Sequence, residues 1–308
     1  MFRLERIASR DSWKKYRQMV LETPFTSFTL LPEWLEGYCL VPLIIRKIGF
    51  LIYNKNNDLI GGIAGVTYWL GRKITIFPSD PIIKDDLKLE IQLEEILKEI
   101  LRSVKGQVHI SSSVENPKKV GLKKVKFPKG FYPDPGLGSI RIEKGKDILT
   151  ILKPKVRRDI RLSERRGVRV KRVNDSKELY NVYTLFAMNA KNYGYNIRPF
   201  FMFNRMWKRM YNSETGLFAF AEVDNQIKGA IWLIKSGESL HYIMGASLKE
   251  EVERNVGYAL QFWALSESKK LGFNTYNISI GGPKGVEKFK DDFGRNKILM
   301  KKSYVGFF

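Results

Sequence analysis

The chain reads as an α/β (α+β) protein folded as two similar halves, residues 1–145 and 146–308. Three observations predict this. Its length of 308 residues suggests two cores more than one. Apolar residues alternate along the chain between a period near two and a period near 3.6, the marks of strand and helix. The order of these segments in the second half also repeats their order in the first, without a clear residue-level repeat.

In the first half, a helix is predicted over Ser12–Leu21, followed by Phe25-Thr-Ser-Phe28 and Pro32-Glu-Trp-Leu-Glu-Gly37. Strands are expected around 49–54, 59–67 and 73–78, the first two split by the turn residues Asn54-Lys-Asn-Asn-Asp58. Leu87–Leu101 carries Leu and Ile at helical spacing, with Lys98 and Arg102 near the end where a helix dipole favours cations. Gln107–Ser112 is a further strand. Pro117, Pro128, Pro133 and Pro135 make 115–138 a loop-rich stretch that packs on its own domain.

In the second half, Asp147–Arg165 is helical, with Pro154 in a first turn or at a break. A strand over Val168–Val173 precedes helices over Ser176–Lys191 and Phe200–Tyr211. Strands Gly216–Val223, Ile227–Lys235 and Ser239–Ala246 alternate with hairpin turns. Arg254-Asn-Val-Gly-Tyr-Ala259 then opens a helix to Leu271, and a strand over Phe273–Ile280 ends in Gly281-Gly-Pro283.

Composition narrows the class. Hydrophobic residues make up 44% and aromatics 13%, as in a globular chain and unlike a disordered one. Cys39 is the single cysteine, so no intramolecular disulfide can form and a reducing, cytoplasmic setting is expected. With His109 and His241 as the two histidines, no metal site is expected. The longest apolar run, Leu40–Tyr53, is broken by Arg46 and Lys47 and is too short for a bilayer. The opening Met1-Phe-Arg-Leu-Glu-Arg6 lacks the apolar core of a signal peptide.

The net charge of +22 is uneven: 25 basic against 17 acidic residues over 1–150, and 29 against 15 over 151–308. Lys153–Arg172 alone holds ten Lys or Arg against two acids. A solvated helix face explains part of such a run, and an anionic partner explains the excess. Nucleic acid, anionic lipid headgroups and a phosphate-bearing substrate all fit.

The segment Ser239–Gly294 carries the chemistry. Strand, glycine-bearing turn, helix and strand is an arrangement that points backbone N–H groups at a phosphate. In Arg254-Asn-Val-Gly257-Tyr-Ala259, Gly257 and Ala259 are small where a pyrophosphate would approach, and Arg254 adds a charge-assisted contact. The plainer reading is a helix start whose glycine relieves crowding.

Nearly the whole chain resembles the FemABX group of peptidyl and aminoacyl transferases. The resemblance rests on Phe25-Thr-Ser-Phe with Pro32-Glu-Trp34-Leu, and on the basic junction Lys155-Val-Arg157-Arg158-Asp-Ile-Arg161. It rests also on Asn189-Ala-Lys191-Asn-Tyr193-Gly194 with Arg198-Pro199, on Tyr242-Ile-Met-Gly245-Ala246, and on Glu287-Lys-Phe289-Lys290-Asp-Asp-Phe-Gly294. It implies two tandem GNAT (acetyltransferase-type) domains with mixed, mostly antiparallel sheets, and an acyl or aminoacyl transfer that forms an amide on an amine. It implies a donor in the C-terminal domain and an acceptor between the domains. The sequence departs from the group in carrying Lys191 where Arg is common, and Asn277 where a strand-end Asp is usual.

Within that frame Lys290, beside Phe289, is expected to stabilise an oxyanion or a tRNA phosphate, and Tyr242 to face the cleft and relay a proton. A kink or bulge at Gly245–Ala246 is expected to free an N–H for the donor carbonyl. Arg157, Arg158, Lys191 and Tyr193 are expected substrate contacts. His241 points to the opposite side of its strand and reads as a packed residue more than a base. No Ser/His/Asp or Cys/His arrangement is visible, which argues against a covalent intermediate. The expected donor is aminoacyl-tRNA, which the resemblance favours, with acyl-CoA as the alternative that Arg254-x-x-Gly257-x-Ala259 favours; either is a co-substrate, and no resident cofactor is expected. A reading of another class is a nucleic-acid-binding module on a degenerate transferase scaffold. Association with an anionic membrane through the basic run is compatible with either.

Overall fold

The computed structural model describes residues 2–24, 26–39, 44–69, 71–84, 93–126, 128, 133–248 and 255–308. In chain order the elements are β1 (Arg3–Arg6), α1 (Arg10–Glu22), α2 (Pro32–Glu36), β2 (Ile45–Tyr53), β3 (Leu59–Trp69), β4 (Lys73–Phe77), β5 (Ile82–Ile83), α3 (Leu93–Ser103), β6 (Gln107–Ser112) and β7 (Lys123–Lys124). Then come β8 (Gly136–Arg141), α4 (Ile148–Ile151), α5 (Pro154–Arg165), β9 (Arg169–Arg172), α6 (Ser176–Tyr193), α7 (Phe200–Asn212), β10 (Gly216–Val223), β11 (Gln226–Ser236) and β12 (Ser239–Ser247). The chain ends with α8 (Val256–Lys270), β13 (Thr275–Asn277), α9 (Lys284–Asp292), β14 (Asn296–Met300) and β15 (Lys302–Phe307). Among the described residues no helix is long and apolar enough to cross a membrane.

Two compact units result, Met1–Gly136 with Leu299–Phe308, and Leu137–Ile298. The division falls ahead of the 145/146 boundary read from sequence, because β8 already pairs with β13 of the second unit. Leu299–Phe308 joins the first unit because β15 pairs with β6 along its length.

The sheet of the first unit runs β1-β2-β3-β4-β6-β15-β7, with β5 on β3. That of the second runs β14-β8-β13-β12-β11-β10-β9. The registered pairings are antiparallel except β4 with β6 and β12 with β13. Among the described residues each parallel pair is connected through a helix, α3 or α8, as a crossover requires. The mixed, mostly antiparallel α/β class read from the sequence is therefore the class observed.

Local chemistry explains the boundaries. Pro154 cannot continue a helix from α4, so the helical stretch expected over 147–165 breaks at the proline, which takes the first position of α5. Asp175 caps α6 by accepting from Lys177 and Glu178 N–H, and Gly194 ends it at φ 68°. The strand expected over 273–280 is only Thr275–Asn277, since Ser279, Gly281 and Gly282 take positive φ.

In the second unit the sheet is covered on both faces. Ile231, Leu233, Leu240 and Tyr276 pack against Val156 and Ile160 of α5 and Leu260 and Ala264 of α8. On the other face Trp232 stacks on Phe218 at 4.9 Å, and Phe203 of α7 meets both rings edge-on. Burying each such side chain contributes about 1.5–3 kcal/mol, which sets the two helix layers against the sheet.

The parallel pairs end abruptly. β12 and β13 are in register only through Ser239–Thr275, Leu240–Tyr276 and His241–Asn277. Beyond that step β12 continues alongside β11 to Ser247, while the other strand turns to β8, Ile278 N–H bonding Gly138 O at 2.9 Å. A wedge opens between them. In the first unit β4 and β6 part after Phe77–Ile110, and the space there is filled by a buried polar network. Lys301 Nζ donates to Asp134 Oδ2 (2.7 Å) and Ser79 Oγ (2.6 Å), while Asp80 accepts from Ser112 Oγ and from Ser113 N–H and Oγ.

Candidate acyl-transfer site

The wedge of the second unit is lined on one side by Tyr242. β12 carries one residue more than β11 at this point: Trp232 faces Met244 and Leu233 faces Tyr242, leaving Ile243 unopposed. Three residues apart on a regular strand, Tyr242 and Gly245 would face opposite ways. The bulge turns them to the same face. A Cβ on Gly245 would lie 2.7 Å from Tyr242 Oη. The irregularity expected at Gly245–Ala246 is thus at Ile243. Gly245 itself stays in the ladder opposite Ile231 and is small because the Tyr242 ring lies on it.

The other side is the loop from Asn277 to Pro283. Asn277 Oδ1 accepts from Gly138 N–H (3.2 Å) and Ser279 N–H (3.0 Å), so its amide nitrogen must face the other way, toward His241 Nδ1 at 3.0 Å. His241 Nε2 then carries the proton and donates to Ser236 O at 3.2 Å. With both ring nitrogens engaged and 1% exposure, His241 is a fastening at the point where the strands part.

Lys290 enters the wedge from α9. Its side chain is 4% exposed, and Nζ donates to Gly281 O (2.8 Å) and Ser279 Oγ (3.0 Å). It lies 5.7 Å from the centre of the Tyr242 ring. Burial pulls it down to about 8, although the Glu287 carboxylate 4.0 Å away acts in the opposite sense. Both the ammonium and the free amine are therefore populated near neutral pH.

Phe289, the preceding residue of α9, turns toward α8, its ring meeting Tyr258 at 5.0 Å and Phe293 at 5.2 Å. The same ring lies 3.6 Å from where a Cβ on Gly257 would be. Gly257 is thus in the first turn of α8 facing an aromatic ring. Ala259 is turned into the core, and its N–H donates to Asn255 O at 3.2 Å. Arg254 lies outside the described residues.

The start of α5 reaches α9. Lys153 Nζ bonds Asp291 O (2.9 Å) and Lys155 Nζ bonds Asp292 Oδ2 (2.8 Å). Arg157 follows, half-buried, and Arg158 projects outward while donating to Asp159 Oδ1 at 3.0 and 3.1 Å. The basic run is less unbalanced than its sequence implies, since Lys171 pairs with Glu222 and Arg172 with Glu267. The structure brings Tyr242, Gly245, Gly257, Phe289, Lys290 and the head of α5 to one face of the sheet. Lys191 and Tyr193 are exposed at the end of α6, in the helix layer on the other face.

Sequence reasoning missed Arg295. Its side chain is fully buried and ties Glu287, Asp291 and Ser279 together. Glu287, Asp291 and Arg295 stand at i, i+4 and i+8, but α9 ends at Asp292, so Arg295 reaches back to both carboxylates from beyond the helix. Bonded to Arg295, Glu287 is held down to about 2.

Residues 153–291 match the family model described as an acetyltransferase (GNAT) domain. No curated protein matches the sequence. Among solved structures the chain is similar to FemX, with a TM-score of 0.75 at 16% identity over 99% of this chain and 97% of that one. It is similar to a tandem GNAT protein from the clavulanic acid biosynthesis pathway (0.57, 8% identity, 99% and 98% covered). It is similar also to L-PGS from Bacillus licheniformis (0.57, 10% identity, 97% and 92% covered). The chain therefore has the FemX-like tandem GNAT fold, and the match to the GNAT domain model lies within its C-terminal unit.

Proposed function

We propose that the protein is a transferase that moves an aminoacyl group from aminoacyl-tRNA to an amine and so forms an amide. The observation that carries this reading is Lys290, buried in the wedge beside Tyr242, where burial pulls its amine down to about 8. An amine attacking an acyl ester makes a tetrahedral oxyanion, and a cation held out of water stabilises it far better than one in solvent. Collapse of that intermediate breaks the ester C–O bond, and the departing ribose oxygen needs a proton. Lys290 can supply it near neutral pH and be protonated again by solvent. The attacking nitrogen gives up its own proton to water. Tyr242 borders the same space with its hydroxyl.

Similarity to FemX over nearly the whole chain supports the aminoacyl reading. So does the start of α8, where Ala259 is committed to the core and Gly257 faces Phe289. Arg157, Arg158 and the neighbouring arginines of α5 would meet tRNA phosphates, while Lys191 and Tyr193, on the other face of the sheet, would meet only an acceptor that approaches from that side. The same charge would favour an anionic membrane surface, and a tRNA donor implies the cytoplasm.

Acyl-CoA as donor is the second reading, favoured by the acetyltransferase family model. The two separate in one experiment. The purified, nucleic-acid-free protein is given bulk tRNA charged with radiolabelled amino acids, or labelled acetyl-CoA, with a peptide bearing a free lysine amine. Label passing to the peptide from tRNA supports the first reading, and label passing only from acetyl-CoA replaces it with the second. Transfer from neither, with tRNA binding that falls steeply with salt, leaves a nucleic-acid-binding module.

A further inference from the structure

We propose that Arg295 is the positioning residue of this site, holding Glu287 and Asp291 away from Lys290 and pinning Ser279 against it. The proposal rests on the reading of Lys290 given above.

The geometry is unusually complete. A guanidinium has five N–H donors, and here each has an acceptor. Nη1 donates to Glu287 Oε1 (2.9 Å) and to Ser279 O (2.9 Å). Nη2 donates to Glu287 Oε2 (3.1 Å) and to Asp291 Oδ1 (2.6 Å), and Nε to Asp291 Oδ1 (3.0 Å). Glu287 is thus gripped through both oxygens, the fork-to-fork arrangement that lysine cannot copy.

Ser279 is the shared point. It sits at φ 65°, a left-handed conformation that strains a residue with a Cβ. All three of its polar groups are held: N–H by Asn277 Oδ1 (3.0 Å), O by Arg295 (2.9 Å), and Oγ by Lys290 (3.0 Å). Arg295 and Lys290 grip opposite sides of one strained residue, so the place of the amine depends on the guanidinium. A side chain on Gly138 would strike Arg295 Cδ at 2.8 Å and Ser279 O at 2.7 Å, which shows how closely the neighbouring strand fits this node.

The charges around Lys290 define the consequence. Glu287 and Asp291 favour its protonated form, and Arg295 and Lys297 disfavour it. On the far side stands the uncharged Tyr242 ring, while Lys153 and Lys155 of α5 engage Asp291 O and Asp292. Without Arg295, a cation is lost and Glu287, keeping Lys297 at 3.3 Å, is freed toward Lys290. Both changes favour the ammonium. A merely structural role for Arg295 would lower stability without this signed effect.

The test follows lysine Cε resonances by NMR during a pH titration, with the Lys290 signal assigned by its loss in Lys290→Arg. In Arg295→Met the Lys290 midpoint moves up from about 8 by about one pH unit, and adding Glu287→Gln moves it back. If Arg295→Met does not fold, Arg295→Lys decides: it keeps the cation but cannot grip both Glu287 oxygens, so the Lys290 midpoint still rises, by less. An unmoved or oppositely moved midpoint overturns the proposal. The readout needs no substrate, so it stands apart from the transfer assay: a shifted midpoint without detectable transfer sinks the functional reading and leaves the Arg295 relationship intact.

Discussion

Asn277 donates its amide to His241 Nδ1 at the last paired step of β12 and β13, 3.0 Å apart and buried. This side-chain bond closes the parallel ladder where the wedge begins. His241→Phe keeps the bulk and removes the acceptor, leaving the Asn277 amide unsatisfied. A loss of about 1–3 kcal/mol is expected in urea unfolding. The pH dependence of transfer should keep its shape, because the imidazole has no lone pair to offer a substrate. Loss of one limb of that profile would make His241 a base after all.

Tyr242 and Gly245 are coupled through the bulge at Ile243. Gly245→Ala places a methyl 2.7 Å from Tyr242 Oη and 3.1–3.3 Å from its ring carbons. The overpacking should cost about 1–3 kcal/mol. Tyr242→Phe removes the closest atom, so the double variant should recover part of the loss in a double-mutant cycle. Additive losses would mean that the two side chains do not meet.

Gly257→Ala separates the donor readings. The new methyl meets Phe289 at ordinary contact distance, 3.6–3.8 Å, and alanine favours a helix over glycine. Stability should stay level or rise by up to about 1 kcal/mol. Transfer from aminoacyl-tRNA should be unaffected. A variant that is stable yet loses transfer would place the donor on the start of α8, as the acyl-CoA reading requires.

Lys301 and Asp134 form a buried ion pair whose folded pKa values move apart, Asp134 down through Lys301 and its other donors, and Lys301 up through Asp134 and Asp80, each against the opposing effect of burial. The sign follows from linkage. The aspartate's contribution is present above its unfolded value and lost as pH falls through its lower folded one. The lysine's is present below its unfolded value and lost as pH rises through its higher folded one. Lys301→Met should therefore cost about 3–5 kcal/mol, nearly constant between roughly pH 5 and 9, because two carboxylates lose their cation. Chemical unfolding at several pH values checks it. A neutral substitution would show that Asp80 and Asp134 are satisfied by hydroxyls and N–H groups alone.

Much of the fold was legible because its elements carry strong local patterns: Gln107–Ser112 and Gly216–Val223 were read with their observed bounds. The strand expected over 273–280 was misjudged because Ile278 and Ile280 look like strand residues, whereas side-chain bonds from Asn277, Lys290 and Arg295 hold Ser279 in a turn. β15 was missed because its partner β6 lies nearly two hundred residues away, beyond any local pattern. In the site, Lys290 and Phe289 were named from the Phe-Lys motif, yet their different partners, Ser279 and Gly281 for one and Tyr258 and Phe293 for the other, depend on α9. The bulge at Ile243 has no sequence mark, and Arg295 was passed over because its partners stand on the preceding helix.

The most direct test of the account is single-turnover transfer from labelled aminoacyl-tRNA to a lysine peptide by wild type and Lys290→Met, with tRNA affinity measured alongside. The account predicts a fall in the transfer rate of about a hundredfold or more, with affinity nearly unchanged. Transfer at the wild-type rate by folded Lys290→Met would contradict it.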